Sequence, residues 1–277
     1  MLLWFREVDE VKDFFSTYWL YIKTFFKSRA EYRVGFILGM FANFYCYFIT
    51  FATYWVLVSS LGGIAGWNFE ELSVLYGLSL LTYAISGTLV WNTVYHLGQT
   101  ITTGRLDIYL TRPYGVLQQL IFQRFGDTFI GQIIVTVIFL IAAFMNNAEV
   151  MTWHKAIYLV LAIVGGTLIQ VASMILIGSL SFWIQRSGEF GDIVYYQARS
   201  MTNYPLCIYP KWIQGILTFV LPWAFINYYP SLILLNKVET TFELVLGLIS
   251  PLVGLMLLWI ALWVFKQGLK RYSGAGN

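Results

Sequence analysis

Charge is scarce in this chain. Only 11% of its 277 residues are Asp, Glu, Lys or Arg, against about 25% in an ordinary soluble domain. So little charge cannot cover a water-facing surface, and lipid becomes the main solvent. Histidine is scarcer still. His96 and His154 are separated by an apolar run, so they fall on opposite sides of a bilayer and cannot share a metal. No Cys, His and carboxylate cluster has ligand spacing. Cys46 and Cys207 give no disulfide framework and are expected as small buried hydrophobes. No GxxxxGK[ST] loop is present, which removes that mode of nucleotide binding, and no GxSxG elbow occurs.

Long apolar runs are what the chain has instead. Residues 34–60 are nearly all apolar, and residues 72–104, 128–148, 156–185, 212–236 and 244–265 carry no charge. Each run is long enough for a spanning helix, which needs about 20 residues. Backbone groups in hydrocarbon must bond within their own segment, and these runs lack the alternation of membrane strands. The expectation is an all-α membrane protein with six transmembrane helices in one domain, 34–265. A cytoplasmic amphipathic segment, 1–33, precedes it, and a cytoplasmic tail, 266–277, follows.

Orientation comes from Lys and Arg. Six precede residue 34, and Arg105, Arg112 and Arg124 lie in the second connection. Arg186, Arg199 and Lys211 lie in the fourth, and Lys266, Lys270 and Arg271 in the tail. Only Lys155 and Lys237 fall in the other connections. Positive connections stay inside, so both termini are expected in the cytoplasm. The net charge of +3 is then a topology signal, and no nucleic-acid partner is expected. The opening MLLWF is too short for a signal core. Instead Trp4, Val8, Val11, Phe15, Tyr18, Ile22 and Phe25 recur at helical steps, as in a helix lying in the headgroup layer.

No charged residue is expected within the spans, so any transport energy must come from elsewhere. The polar residues there, Asn43, Asn92, Gln132, Gln170, Ser173, Ser179 and Asn227, suit interhelical hydrogen bonds. An apolar cargo path remains open for Asn43, Tyr47, Phe51, Tyr54, Asn92 and Asn227. Ordinary packing is the competing use of the aromatic members. Gly35 and Gly39 form a GxxxG, and Gly165, Gly166, Gly247 and Gly254 mark further close approaches, within the subunit or at a dimer seam. Pro222 should break the fifth span, and residues 188–203 are expected as a cytoplasmic linker.

The stretch HLGQTITTGRLDIYLTRPYG, residues 96–115, stands apart. As one helix the second run would measure about 48 Å at 1.5 Å per residue, well beyond the hydrocarbon core of about 30 Å. It must project, tilt or break. Gly104 can cap it in a left-handed conformation. Residues 105–112 then form a short element, with Leu106, Tyr109 and Leu110 on one face and Pro113 closing it. The shape is a rigid knob below the membrane, suited to a socket on a cytosolic partner.

GRLDIYLTRPYGVLQQL (104–120) resembles the cytoplasmic connection of permease subunits of bacterial type-2 ATP-binding-cassette exporters. Gly104, Leu106, Asp107, Leu110, Arg112 and Pro113 occupy the positions of the pattern G-x-L-D-x-x-L-x-[RK]-P. YPLCIYPKW, LPWAFINYYP and GLKRYSGAG extend the similarity along the chain. The resemblance implies a multi-pass permease in the bacterial cytoplasmic membrane. It would pair with a second permease, identical or not, and with two cytosolic ATPase subunits that carry ATP and Mg. This chain itself would hold no cofactor and would be no enzyme. The knob, Gly104, Arg105, Leu106, Asp107, Tyr109, Leu110, Arg112 and Pro113, would be the coupling helix docked on an ATPase. The short 230–243 loop implies that the external two-helix hairpin of some members is reduced. The resemblance also implies outward transport of an amphipathic or hydrophobic cargo: drug, peptide, lipid or glycan. A lipid-modifying membrane enzyme and a non-transporting anchor are the alternatives from other classes.

Overall fold

The computed structural model describes residues 33–112, 114–146, 152–184 and 195–273, together with Ser16, Trp19, Leu20, Tyr21, Lys23, Thr24 and Lys27. Among the described residues the regular elements are all helical, apart from a single bridge between Ile64 and Trp67. We number the principal helices α1 (Arg33–Leu61), α2 (Phe69–Thr102), α3 (Leu106–Leu110), α4 (Val116–Gln123) and α5 (Phe129–Asn146). They continue with α6 (Trp153–Ser179), α7 (Lys211–Val220), α8 (Trp223–Leu234) and α9 (Thr241–Arg271). Four of these are long and apolar enough to cross a bilayer, and α7 with α8 makes a fifth only if the bent pair counts as one span. The apolar part of α5, Phe129–Met145, is shorter.

Two capping boxes set where chains re-enter the bundle. Asn68 accepts from Glu71 N–H while Glu71 Oε2 accepts from Asn68 N–H, each at 2.8 Å. Thr240 and Glu243 do the same at the start of α9, both at 3.2 Å. Each box satisfies orphan N–H groups and puts a carboxylate at the positive helix end. The two boxes share one end of the bundle, which we call the loop end. There Lys237, just before the second box, reaches the first, pairing with Glu71 at 2.7 Å and donating to Gly66 O at 2.8 Å.

α2 is the axis on which the rest packs. Its most apolar window is 89% buried, against 11% for α1. α1 therefore lines the periphery and touches the body through α5, where Phe51 meets Phe139 with ring centroids 3.7 Å apart. Small residues bring backbones together at the α6 and α9 crossing. A Cβ on Gly165 would lie 2.8 Å from Pro251 Cα, and one on Gly254 would lie 2.6 Å from Gly165 O. These glycines serve packing inside the subunit. Among the described residues the GxxxG of α1 does not, since a Cβ on Gly35 or Gly39 would meet none of them within 4 Å.

The expectation for the fifth run fails in an instructive way. Residues 212–236 do not form one kinked span. The chain bends by 78° between α7 and α8, around Pro222. Their outer ends, at Lys211 and Gln214 on one arm and Leu232 and Asn236 on the other, line one cavity at the loop end. The bend reaches the bundle interior, where Ser250 donates to Phe225 O at 2.6 Å. The pair is thus a V dipping in from the loop end.

The chain before it must then pass through the body. Residues 195–200 are helical and lie against the middle of α2, where the Tyr196 and Tyr83 hydroxyls are 3.2 Å apart. Thr202 meets Ser79 at 2.9 Å. By Lys211 the chain is at the loop end beside Trp67 and Lys237. Arg199 and Lys211 are therefore not in a connection at the knob's end. Of the proposed 188–203 linker, residues 188–194 lie outside the described residues, and the described part packs within the bundle. Cys46 and Cys207 are exposed rather than buried. Of the amphipathic segment, eight residues are described, Arg33 included; all are helical.

This arrangement has a direct check. In a cysteine-free background, a membrane-impermeant maleimide that labels Lys237→Cys must label Lys211→Cys from the same side. Asp107→Cys must label only from the other side. A 212–236 span would put Lys211 with Asp107.

Candidate functional site

The second run breaks where its length requires. α2 is α-helical to Ser86, widens into a π turn at Gly87–Trp91, resumes at Asn92–Tyr95, and turns at His96 before its last segment, Leu97–Thr102. Gly104 then takes φ +70°, a left-handed conformation that costs glycine little. Its N–H donates to Ile101 O at 3.2 Å, and Asp107 N–H donates to Gly104 O at 3.2 Å. The chain leaves α2 and starts α3 within three residues.

α4 doubles back along the foot of α2 and is tied to it by side chains. Thr93 donates to Leu120 O at 3.1 Å. Asn92 Nδ2 donates to Phe125 O at 3.3 Å, and Arg124 donates to Thr100 Oγ1 at 3.2 Å. The Gly126 N–H reaches Thr88 O, inside the π turn, at 3.0 Å. Tyr21 stacks on Phe122 with centroids 5.9 Å apart, which brings the N-terminal segment against the same helix.

α3 is held between them. Leu106 is fully buried, and the Tyr109 hydroxyl donates to Gln123 Oε1 at 3.0 Å. Gln119 is the clamp. Its Nε2 donates to Tyr109 O at 2.9 Å and to Tyr114 O at 2.6 Å, closing the loop on both sides of the knob's tip. Buried amides with two carbonyl partners fix a loop strongly, because leaving those carbonyls unpaired carries the full desolvation cost. Arg105, Asp107, Ile108, Leu110, Arg112 and Tyr114 remain exposed. The expected apolar face is thus divided: Leu106 and Tyr109 point inward, and Leu110 outward with Ile108. Pro113 lies outside the described residues. Gln119 escaped the sequence reading, although an amide at a position flanked by VL and L in GVLQQL was a signal for a buried polar contact.

The candidate cargo-path residues are not gathered at one place. Asn92 binds the foot of α4. Asn227 is buried and donates to Leu75 O and Thr202 O. Tyr54 stacks on Tyr76 at 4.4 Å, and Phe51 faces a shallow apolar cavity with Trp55 and Phe139. Asn43 and Tyr47 are half-buried on the inner side of α1. A cavity of about 570 Å³ lies elsewhere, at the loop end between Trp67, Lys211, Tyr228 and Glu243.

The clamp can be tested directly. Gln119→Leu removes two buried hydrogen bonds, each worth roughly 1 kcal/mol with a further penalty for the orphaned carbonyls. Tryptic cleavage after Arg105 in detergent should speed up several-fold while the elution profile of the folded chain is unchanged. Unchanged cleavage would mean the knob is held without Gln119.

No curated protein and no solved structure matches this sequence. The model of one protein family does, described as ABC-2 family transporter protein, over residues 44–276. The match takes in nearly the whole helical bundle, the knob and its clamp. The chain belongs to the ABC-2 transporter family and is a multi-pass membrane permease of an ABC transporter.

Proposed function

We propose that this permease is the membrane half of an ATP-driven exporter in the bacterial cytoplasmic membrane. It pairs with a second permease and with two cytosolic ATPase subunits, which bind ATP and Mg. Six crossings place both termini and the knob in the cytoplasm, counting the passage through residues 195–210 as the fifth. The cation distribution supports this orientation. Arg105, Arg112, Arg124, Lys266, Lys270 and Arg271 lie at the knob's end, and acids Glu70, Glu71, Glu239 and Glu243 gather at the loop end with three lysines. The positive end faces the cytoplasm.

The observation that carries the reading is the knob. It is a five-residue helix fixed by a buried leucine and a two-sided amide clamp, yet its outer surface shows two unpaired-looking apolar side chains, Ile108 and Leu110, each about half exposed. Apolar side chains on a rigid, charged projection mark a protein contact. ATP-driven closure of the partner subunits would push on this element. α2 would carry the push inward, because its foot is tied to α4 at Thr88, Asn92, Thr93 and Thr100. Transport then requires that the cargo bind two states of the bundle differently.

Co-expression of the tagged permease with the ATPase encoded beside it tests this. The wild type should retain the ATPase in detergent. Leu110→Glu puts a charge into the proposed contact and should reduce retention at least tenfold, while leaving the permease itself folded. Equal retention by the variant removes the knob from the contact. The ATPase contact would then have to be sought elsewhere on the positive end of the permease.

A further inference from the structure

Arg199 occupies a place where cations are rare. Its guanidinium carbon lies 3.7 Å from the centroid of the Tyr83 ring. Tyr83 is twelve residues beyond Glu71 on α2, a depth of about 18 Å at the helical rise. The same level is marked by Thr82 against Gly166, near the middle of α6. In a hydrocarbon core of about 30 Å this is the central zone. An ionisable side chain there marks a ligand pathway by default, because it is expensive to keep.

Nothing among the described residues neutralises it. The Nε and Nη2 atoms of Arg199 are buried without a hydrogen-bond partner, and none of the described carboxylates pairs with it. Tyr47, Tyr76 and Tyr195 stand within electrostatic reach of the same charge. The Tyr195 hydroxyl donates to Gln170 Oε1, and the buried Gln170 Nε2 has no partner. The cluster therefore offers N–H donors and a positive charge, with no anion among the described residues to receive them. Aromatic faces offset part of the cost of a buried cation but supply no acceptor. The cluster is also open on one flank: Arg199 is half-buried and Tyr196 is exposed, its hydroxyl 3.2 Å from that of Tyr83.

We propose that Arg199 binds the oxyanion of an amphipathic ligand, a phosphate or carboxylate carried into the membrane on an apolar body. The guanidinium fork matches the geometry and the charge of such an oxyanion. The tyrosine rings flank the apolar body. This deepens the permease reading and rests on it for calling the ligand cargo. Binding itself needs no ATPase, so the test below is independent of knob docking. A failed ATPase co-purification and a failed anion-binding test are distinguishable results.

The full chain would be placed in nanodiscs of phosphatidylcholine and titrated with radiolabelled dodecyl phosphate. The wild type should bind it, and Arg199→Gln should bind at least tenfold more weakly. Arg199→Lys, which keeps the charge and loses the fork, should fall between them. Unlabelled dodecanoate should compete, and dodecyltrimethylammonium should not. Inorganic phosphate should compete only weakly; equal competition would overturn the need for an apolar body. Phosphatidylglycerol doped into the nanodisc separates the sources: competition makes a bilayer lipid a ligand, and its absence leaves single-chain cargo. Phenylglyoxal modification of the wild type, read at Arg199 by mass spectrometry, needs no variant. Dodecyl phosphate should slow it several-fold. Unchanged binding by a folded Arg199→Gln, or no protection of Arg199, overturns the assignment.

Discussion

The side-chain amide of Asn227 holds two stretches of backbone at once. Its Nδ2 donates to Leu75 O at 3.1 Å and to Thr202 O at 2.6 Å, so one buried group joins α2, the irregular passage before α7 and the V that follows. Backbone polar groups away from water must find partners in the protein. A straight helix solves this alone, and an irregular segment cannot. Here the solution is a set of polar side chains aimed at the irregular parts. Ser79 meets Thr202, Ser250 donates to Phe225 O, and the Trp223 indole donates to Ser173 Oγ at 2.9 Å. Polar residues that stand inside apolar runs are, in this protein, the struts that permit non-helical backbone within the bundle. Asn227 belongs with them rather than to a cargo path.

That division explains what could be read in the sequence. The helical class was legible from charge-free runs, and the left-handed Gly104 from its place between a polar helix end and RLDIYL. Both are local properties, set by hydropathy and by backbone sterics. The passage through residues 195–210 was not legible. It contains Arg199 and Pro205, and a count of charge-free runs discards any segment holding either a charge or an early helix breaker. Such a segment can lie inside the bundle only because neighbouring helices pack around it, and that packing is a tertiary fact. The same error moved Lys211 to the wrong end and hid the cation at the centre. Gln119 was missed for a related reason, since its two carbonyl partners lie five and ten residues upstream in a loop whose path had to be known first. Leu106 and Leu110 look equivalent by spacing, but α4 covers only the first.

α2 joins the two places where chemistry concentrates. Its foot carries the knob through Gly104, and its middle carries Tyr83 under Arg199. Between them the helix is buried on nearly every side, so a displacement at one place cannot be absorbed by solvent or by a free surface. Close-packed interiors transmit strain rather than damp it. The lipid-exposed α1 is the contrast: few body contacts constrain it beyond those with α5 and its tyrosine side, and it borders the open flank of the Arg199 cluster.

The π turn at Gly87–Trp91 sits on that connection. Such a turn adds a residue to one helical cycle. Every side chain below it is therefore rotated, relative to those above, by about 100° against an uninterrupted helix. The direction of the anchoring residues Thr93 and Thr100 relative to the tyrosine face at the centre is set by that added residue. Relatives that gain or lose one position here would keep all their apolar runs and still point the foot of α2, and the knob beyond it, in another direction.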